Sequence, residues 1–159
     1  MKMNEEYTRL DRMRYTKNTT SSRLAILAIV FDVLFFISLY KSDVGNYYYT
    51  ILIGASIIYN LVFLLATFLA SEGVKNYQRS YSWLLLALGC GQIIRIFIYP
   101  VQAHQAVVSG AQVMGDGQFI RMIIYLALSA VCLIASGVIN WQKSKALTAH
   151  IASLEAANA

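Results

Sequence analysis

Asp32 is the residue from which chemistry is first to be expected. It stands near the middle of RLAILAIVFDVLFFISLY (residues 23–40), a run that is otherwise apolar from Leu24 to Tyr40 except for Ser38. A carboxylate at the centre of a membrane-length apolar run is costly, so it must be neutral, paired or facing water. Three later apolar runs each bring a polar side chain that could answer it: Asn60, then Gln92 with Arg95, then Ser129. Counted from one end of each helix at about 1.5 Å per residue, Asp32 lies roughly 12 Å deep, Asn60 about 15 Å, Gln92 about 16 Å, Ser129 about 18 Å and Arg95 about 21 Å. Gln92 and Arg95 are three residues apart and share a helix face. The arginine stem can carry its head several ångströms along the helix, toward Asp32 or toward the headgroups.

This spacing admits three arrangements. Asp32 pairs with Arg95, bridged by Asn60 and Gln92, and the group is a site for an ion, a proton or a polar substrate. Alternatively the same side chains are internal glue, since polar groups hold helices together in lipid. In the third, Arg95 snorkels outward and never meets Asp32. A variant of the second pairs Asp32 with a basic residue of another subunit. All remain open at the level of sequence.

The elements that must position these residues are four apolar helices at about 24–40, 49–70, 81–99 and 119–141. Runs of about 17 to 23 residues span roughly 25 to 35 Å, enough to cross a bilayer. Hydrophobic residues make up 58% of the 159, charged residues only 13%, with a single proline. The fold class expected is an all-α integral membrane protein, a four-transmembrane-helix bundle with short cytoplasmic amphipathic helices at both ends. Residues 1–22 form a basic amphipathic segment, 23–141 the membrane domain and 142–159 a helical tail. The first run is too long for a signal peptide, and no small-residue cleavage site follows it.

Lysine and arginine set the orientation. Lys2, Arg9, Arg12, Arg14, Lys17 and Arg23 precede the first helix, Lys75 and Arg79 lie between the second and third, and Lys143 and Lys145 follow the fourth. The opposite side has Lys41 and Arg121. The positive-inside rule puts both termini in the cytoplasm, at the cell membrane and, from this architecture, the inner membrane of a bacterium. Tyr40, Tyr47, Tyr48, Tyr49 and Tyr99 would belt the outer interface, and Tyr77, Tyr81, Trp83 and Trp141 the inner one.

Met3, Tyr7, Leu10 and Met13 recur at helical spacing, and Asn4-Glu5-Glu6 suits a helix start, so a short helix is expected over 4–16. Residues 18–22 (NTTSS) read as a linker. In the tail, Leu147, Ile151 and Leu154 fall at i, i+4 and i+7, a stripe that needs a cover. The candidates are the N-terminal helix with Tyr7 and Leu10, a second copy of the chain, or another protein. Residues 100–118 read as the longest loop, with room for a short helix on the outer face and with His104 solvated. Cys90 and Cys132 read as small buried apolar side chains without metal-ligand spacing.

There is no phosphate-cradling glycine loop, no pair of catalytic carboxylates, no His/Glu zinc spacing and no nucleophile elbow, so no enzyme, metal or cofactor is expected. The net charge of +5 lies beside apolar segments, where it sets topology rather than binding nucleic acid. In architecture the chain resembles the small multidrug transporters, four-helix proteins with an acidic residue in the first helix. Asp32 stands where that family has glutamate, the chain is longer at both ends, and no motif around Asp32 matches, so no family is assigned. The function expected is a non-catalytic accessory or structural subunit of a larger membrane complex, with a membrane-protein partner. The alternative is a small secondary transporter or channel, working as a homo-oligomer with Asp32 as its intramembrane site.

Overall fold

A computed structural model describes residues 2–39, 47–108, 111–112 and 114–158. The chain is an all-helical bundle. A short helix α1 (Lys2–Met13) precedes α2 (Thr19–Leu39), α3 (Tyr47–Lys75) and α4 (Arg79–Ile96). One wide π turn (Phe97–Val101) joins α4 to the short α5 (Gln102–Gln105). A two-stranded hairpin, β1 (Val107–Val108) and β2 (Ala111–Gln112), leads into the long α6 (Asp116–Asn158). Four of these helical stretches are long and apolar enough to cross a membrane, and the chain is a multi-pass membrane protein. Residues 41–46, most of the turn expected between the first two membrane helices, lie outside the described residues, as do Tyr40 and the side chains of Tyr47, Tyr48 and Tyr49.

Each membrane helix turns one seam inward, its residues three or four apart. On α2 it is Ala25, Ala28, Asp32, Phe35 and Leu39; on α3, Ser56, Asn60, Phe63, Thr67, Ala70 and Val74. On α4 it is Ser82, Leu85, Gly89, Gln92 and Arg95, and on α6, Met122, Leu126, Ser129, Leu133, Ser136 and Asn140. This is the spacing by which helices interlock along a narrow stripe. The opposite faces are apolar and outward, as bilayer contact requires. On α3, Ile58, Leu61, Val62, Leu65, Phe68 and Leu69 are each more than half exposed. Two apolar clusters form the core, one around Ala28, Phe63, Leu85 and Leu133, the other around Phe35, Tyr99, Met122 and Leu126. Asp32, Gln92 and Ser129 fall between them along their seams.

Three expectations about elements need correction. Residues 18–22 are not a linker. Thr19–Ser22 form the first turn of α2, and Asn18 is buried. The Asn18 N–H meets the carbonyl of Lys75 at 2.9 Å, satisfying one of the acceptors left over at the end of α3. Nor does Pro100 end the third membrane helix, which carries on through the π turn to Gln105. Proline has no N–H to donate, and the wider turn accommodates its ring without stopping the chain. His104 is only partly solvated, with its side chain 25% exposed. Its ring stacks on Phe119 with centroids 4.3 Å apart, Nδ1 lies 3.3 Å from the Met114 carbonyl and Nε2 3.7 Å from Asp116.

The connection between α3 and α4 is tight. Gln78 N–H donates to the Gly73 carbonyl and Tyr77 N–H to that of Val74, the paired closure of a Schellman motif. Tyr77 takes the left-handed position usually given to glycine, with φ of 55°, a strain of roughly 1–2 kcal/mol.

Candidate functional site

Two polar clusters lie on the inward seams, and the sequence pointed to one of them. At the centre, Asp32 is fully buried and Arg95 is 5% exposed. Arg95 Nη1 donates to Asp32 Oδ1 at 3.0 Å, and Gln92 Nε2 donates to the same oxygen at 2.9 Å. Arg95 Nη2 donates to Ser56 Oγ at 2.8 Å. The guanidinium carbon lies 4.4 Å from the centroid of the Phe35 ring and 4.6 Å from that of Tyr59, so two π faces flank the cation. Gln92 Nε2 also comes within 3.5 Å of Ser129 Oγ, which itself donates to the Ala28 carbonyl at 3.0 Å. The cluster draws on α2, α3, α4 and α6.

This geometry removes two of the arrangements left open. Arg95 turns inward rather than snorkelling, and the basic partner of Asp32 belongs to the same chain. Gln92 does not bridge the pair: of the two it donates to Asp32 alone, and its own Oε1 has no hydrogen-bond partner among the described residues. Nor does Asn60: although buried on the α3 seam, neither atom of its amide has a hydrogen-bond partner among the described residues. On that seam the residue that meets the pair is Ser56, one turn away, and it does so through Arg95 alone. A readable signal for Ser56 was available. Its distance from Ala70 puts it about 21 Å along its helix, level with Arg95. A serine in an apolar run reads as a small packing residue, and that hid it.

The carboxylate and guanidinium offset each other's charge, so the cluster is neutral as a whole. Asp32 Oδ2 takes no hydrogen bond among the described residues. Two cavities flank α3. One, of about 240 Å³, lies between α2 and α3 and is bordered by Asp32, Asn60, Val33, Phe36, Leu61 and Leu64. The other, of about 330 Å³, lies between α3 and α4 against Ser56, Tyr59, Arg95 and Tyr99.

The second cluster closes the end of the bundle that carries both termini, and sequence reasoning missed it. Asn18 Nδ2 donates to Ser21 Oγ at 2.9 Å and to Asn140 Oδ1 at 3.0 Å. Asn140 Nδ2 donates to Ser82 Oγ at 2.7 Å and to the Gln78 carbonyl at 3.0 Å. Lys143 Nζ donates to Asn18 Oδ1 at 3.0 Å, and Ser136 Oγ to the Ser21 carbonyl at 2.6 Å. The run NTTSS has the composition of a linker, which masks Asn18 and Ser21.

Beyond this knot the α6 seam continues through Ser144, Leu147, Ile151 and Leu154. Helix α1 lies against it. The Tyr7 ring meets His150 edge-on at 4.7 Å, and His150 Nε2 is 4.0 Å from Asp11. Leu10, Leu147, Ile151 and Leu154 are half-buried, and Tyr7 remains 50% exposed. Cys132 is buried as expected, but Cys90 faces outward, on the side of α4 that meets lipid. No family model, curated protein or solved structure matches the chain.

Proposed function

We propose that the chain is a non-catalytic subunit of a larger membrane assembly, docked to its partner through the tail of α6 together with α1. On the lysine and arginine bias this end faces the cytoplasm, and in this reading the membrane is a bacterial cell membrane. The observation that carries this reading is the tail itself. From Asn140, where the polar knot ends the bundle, α6 runs on to Asn158, about 27 Å at 1.5 Å per residue. Its apolar seam is only half covered by α1, whose own Tyr7 stays half exposed. An uncovered continuation of a packing seam is a surface shaped for another helix.

Purification in mild detergent tests this. The wild-type chain should bring down a membrane protein in fixed stoichiometry, and Leu147→Glu with Leu154→Glu should release it while leaving insertion intact. An unchanged complex size on native gels would remove the hypothesis.

The second reading, a small transporter working as a homo-oligomer around Asp32, draws support from the two cavities beside the buried pair. Asp32→Asn separates the two. It keeps volume and hydrogen bonding but cannot cycle a proton. A subunit should assemble almost normally with Asp32→Asn and support its partner's activity. A proton-coupled transporter should fold yet lose flux in proteoliposomes.

A further inference from the structure

We propose that the cleft between α2 and α3 binds a neutral lipophilic molecule that ends in a hydroxyl group. This goes beyond the subunit reading and does not rest on it. The cleft measures about 240 Å³, larger than an apolar protein cavity of roughly 150 Å³ that takes up benzene. Its α3 wall is Ile57, Asn60, Leu61 and Leu64, one helix face, and its α2 wall is Asp32, Val33 and Phe36. Leu61 is 64% exposed and Val33 38%, so the rim opens to the acyl-chain region.

The cleft is otherwise apolar, and the two polar residues that line it, Asp32 and Asn60, hold unsatisfied atoms. Asp32 Oδ2 and both atoms of the Asn60 amide have no partner among the described residues, although Asp32 is fully buried and Asn60 is 3% exposed. A buried polar group without a partner destabilises the fold, and such orphans mark places where something else completes the bonding. The groups on offer are a carboxylate oxygen that accepts and an amide that both donates and accepts. A hydroxyl matches them: its proton goes to Asp32 Oδ2, and its oxygen accepts from Asn60 Nδ2.

Charge and depth narrow the class. Arg95 already offsets the Asp32 carboxylate, so a cationic ligand would leave a net buried charge, which is strongly disfavoured. Acyl tails and ester carbonyls have no proton to donate, so phospholipid chains leave Oδ2 unanswered. At roughly 12–15 Å below the nearer helix ends, Asp32 and Asn60 lie beneath the headgroups. What fits is an apolar body with one terminal hydroxyl, such as a long-chain alcohol.

The test uses full-length protein in phosphatidylcholine nanodiscs, irradiated with a diazirine-bearing decanol and, in parallel, with the methyl ether of the same probe. The alcohol should label peptides containing Val33, Phe36, Leu61 and Leu64 roughly tenfold more than the ether, the discrimination supplied by one hydrogen bond to a charged group. Unlabelled decanol should compete, and decane should not. Asn60→Leu keeps the branched shape and removes the orphaned amide, whereas Leu61→Trp plugs the rim. Each should lower labelling by the alcohol several-fold, Asn60→Leu without erasing the preference over the ether, which the Asp32 acceptor supplies, and either variant alone suffices if the other does not fold. Equal labelling by alcohol and ether overturns the proposal, as it would if the cleft held only water. Alcohol labelling indifferent to the substitutions overturns it too.

Discussion

Asp32 and Arg95 are joined so that removing either strands the charge of the other. Removing one partner from a buried ion pair costs roughly 3–5 kcal/mol in soluble proteins, because the other charge is stranded. In a bilayer, water and headgroups relax around a stranded charge and lessen the cost. Asp32→Leu and Arg95→Leu should therefore each lower the detergent unfolding midpoint, and the double substitution should recover much of the loss. The coupling energy should be on the order of 1 kcal/mol or more, measured as a thermodynamic cycle. Strictly additive losses would show that the 3.0 Å contact contributes nothing in the bilayer. How far this site could be read in the sequence depended on the residue. Depth along a helix follows from residue count alone, so Asp32, Gln92 and Arg95 could be placed in one slab. Which way an amide points depends on its rotamer. Asn60 shares that slab and its helix's inward seam, yet it borders the cleft rather than the pair.

At the scale of elements, α4 and α6 come close enough for backbone to meet an added Cβ. A Cβ on Gly137 would lie 3.0 Å from the Ser82 carbonyl oxygen, and one on Gly89 would lie 2.7 Å from Ile134. Backbone cannot yield as a side-chain tip can. Gly137→Ala should destabilise the fold by about 1–3 kcal/mol. Gly54, with nothing within 4 Å of its added Cβ, is the control, and Gly54→Ala should be neutral or stabilise α3 by about 0.5–1 kcal/mol. Equal effects in thermal unfolding would mean that α4 and α6 are not held at this distance. Four apolar runs of membrane length were plain in the sequence, because composition and length are local properties. Their ends were less so. Asn18 reads as a linker residue until the carbonyl of Lys75 and the amide of Asn140 are known to lie beside it. Pro100 reads as a stop until the π turn is seen to absorb it. Both errors concern partners distant in the chain or a backbone adjustment with no sequence mark.

For the molecule as a whole, the bundle places α1 and the tail of α6 at one end and the β-hairpin at the other. The positive-inside reading makes the first end cytoplasmic. In a chain carrying Cys90→Ala and Cys132→Ala, a single cysteine at Asp116, whose side chain is 85% exposed, should react with an impermeant maleimide in intact cells. One at the exposed Ser153 should react only after permeabilisation. The reverse pattern would invert the orientation and relocate the docking tail. The contacts that close this fold are also separated in time. Asp32 and Arg95 are 63 residues apart, and Asn18 and Asn140 are 122 apart. At a synthesis rate of roughly 5–20 residues per second, the first membrane helix waits about 3–13 s for its arginine. During that interval it carries a lone carboxylate at mid-membrane depth, and only when the last helix leaves the ribosome can the knot around Asn18 be tied. The insertion machinery, or a partner already in place, must shelter the unfinished chain until then.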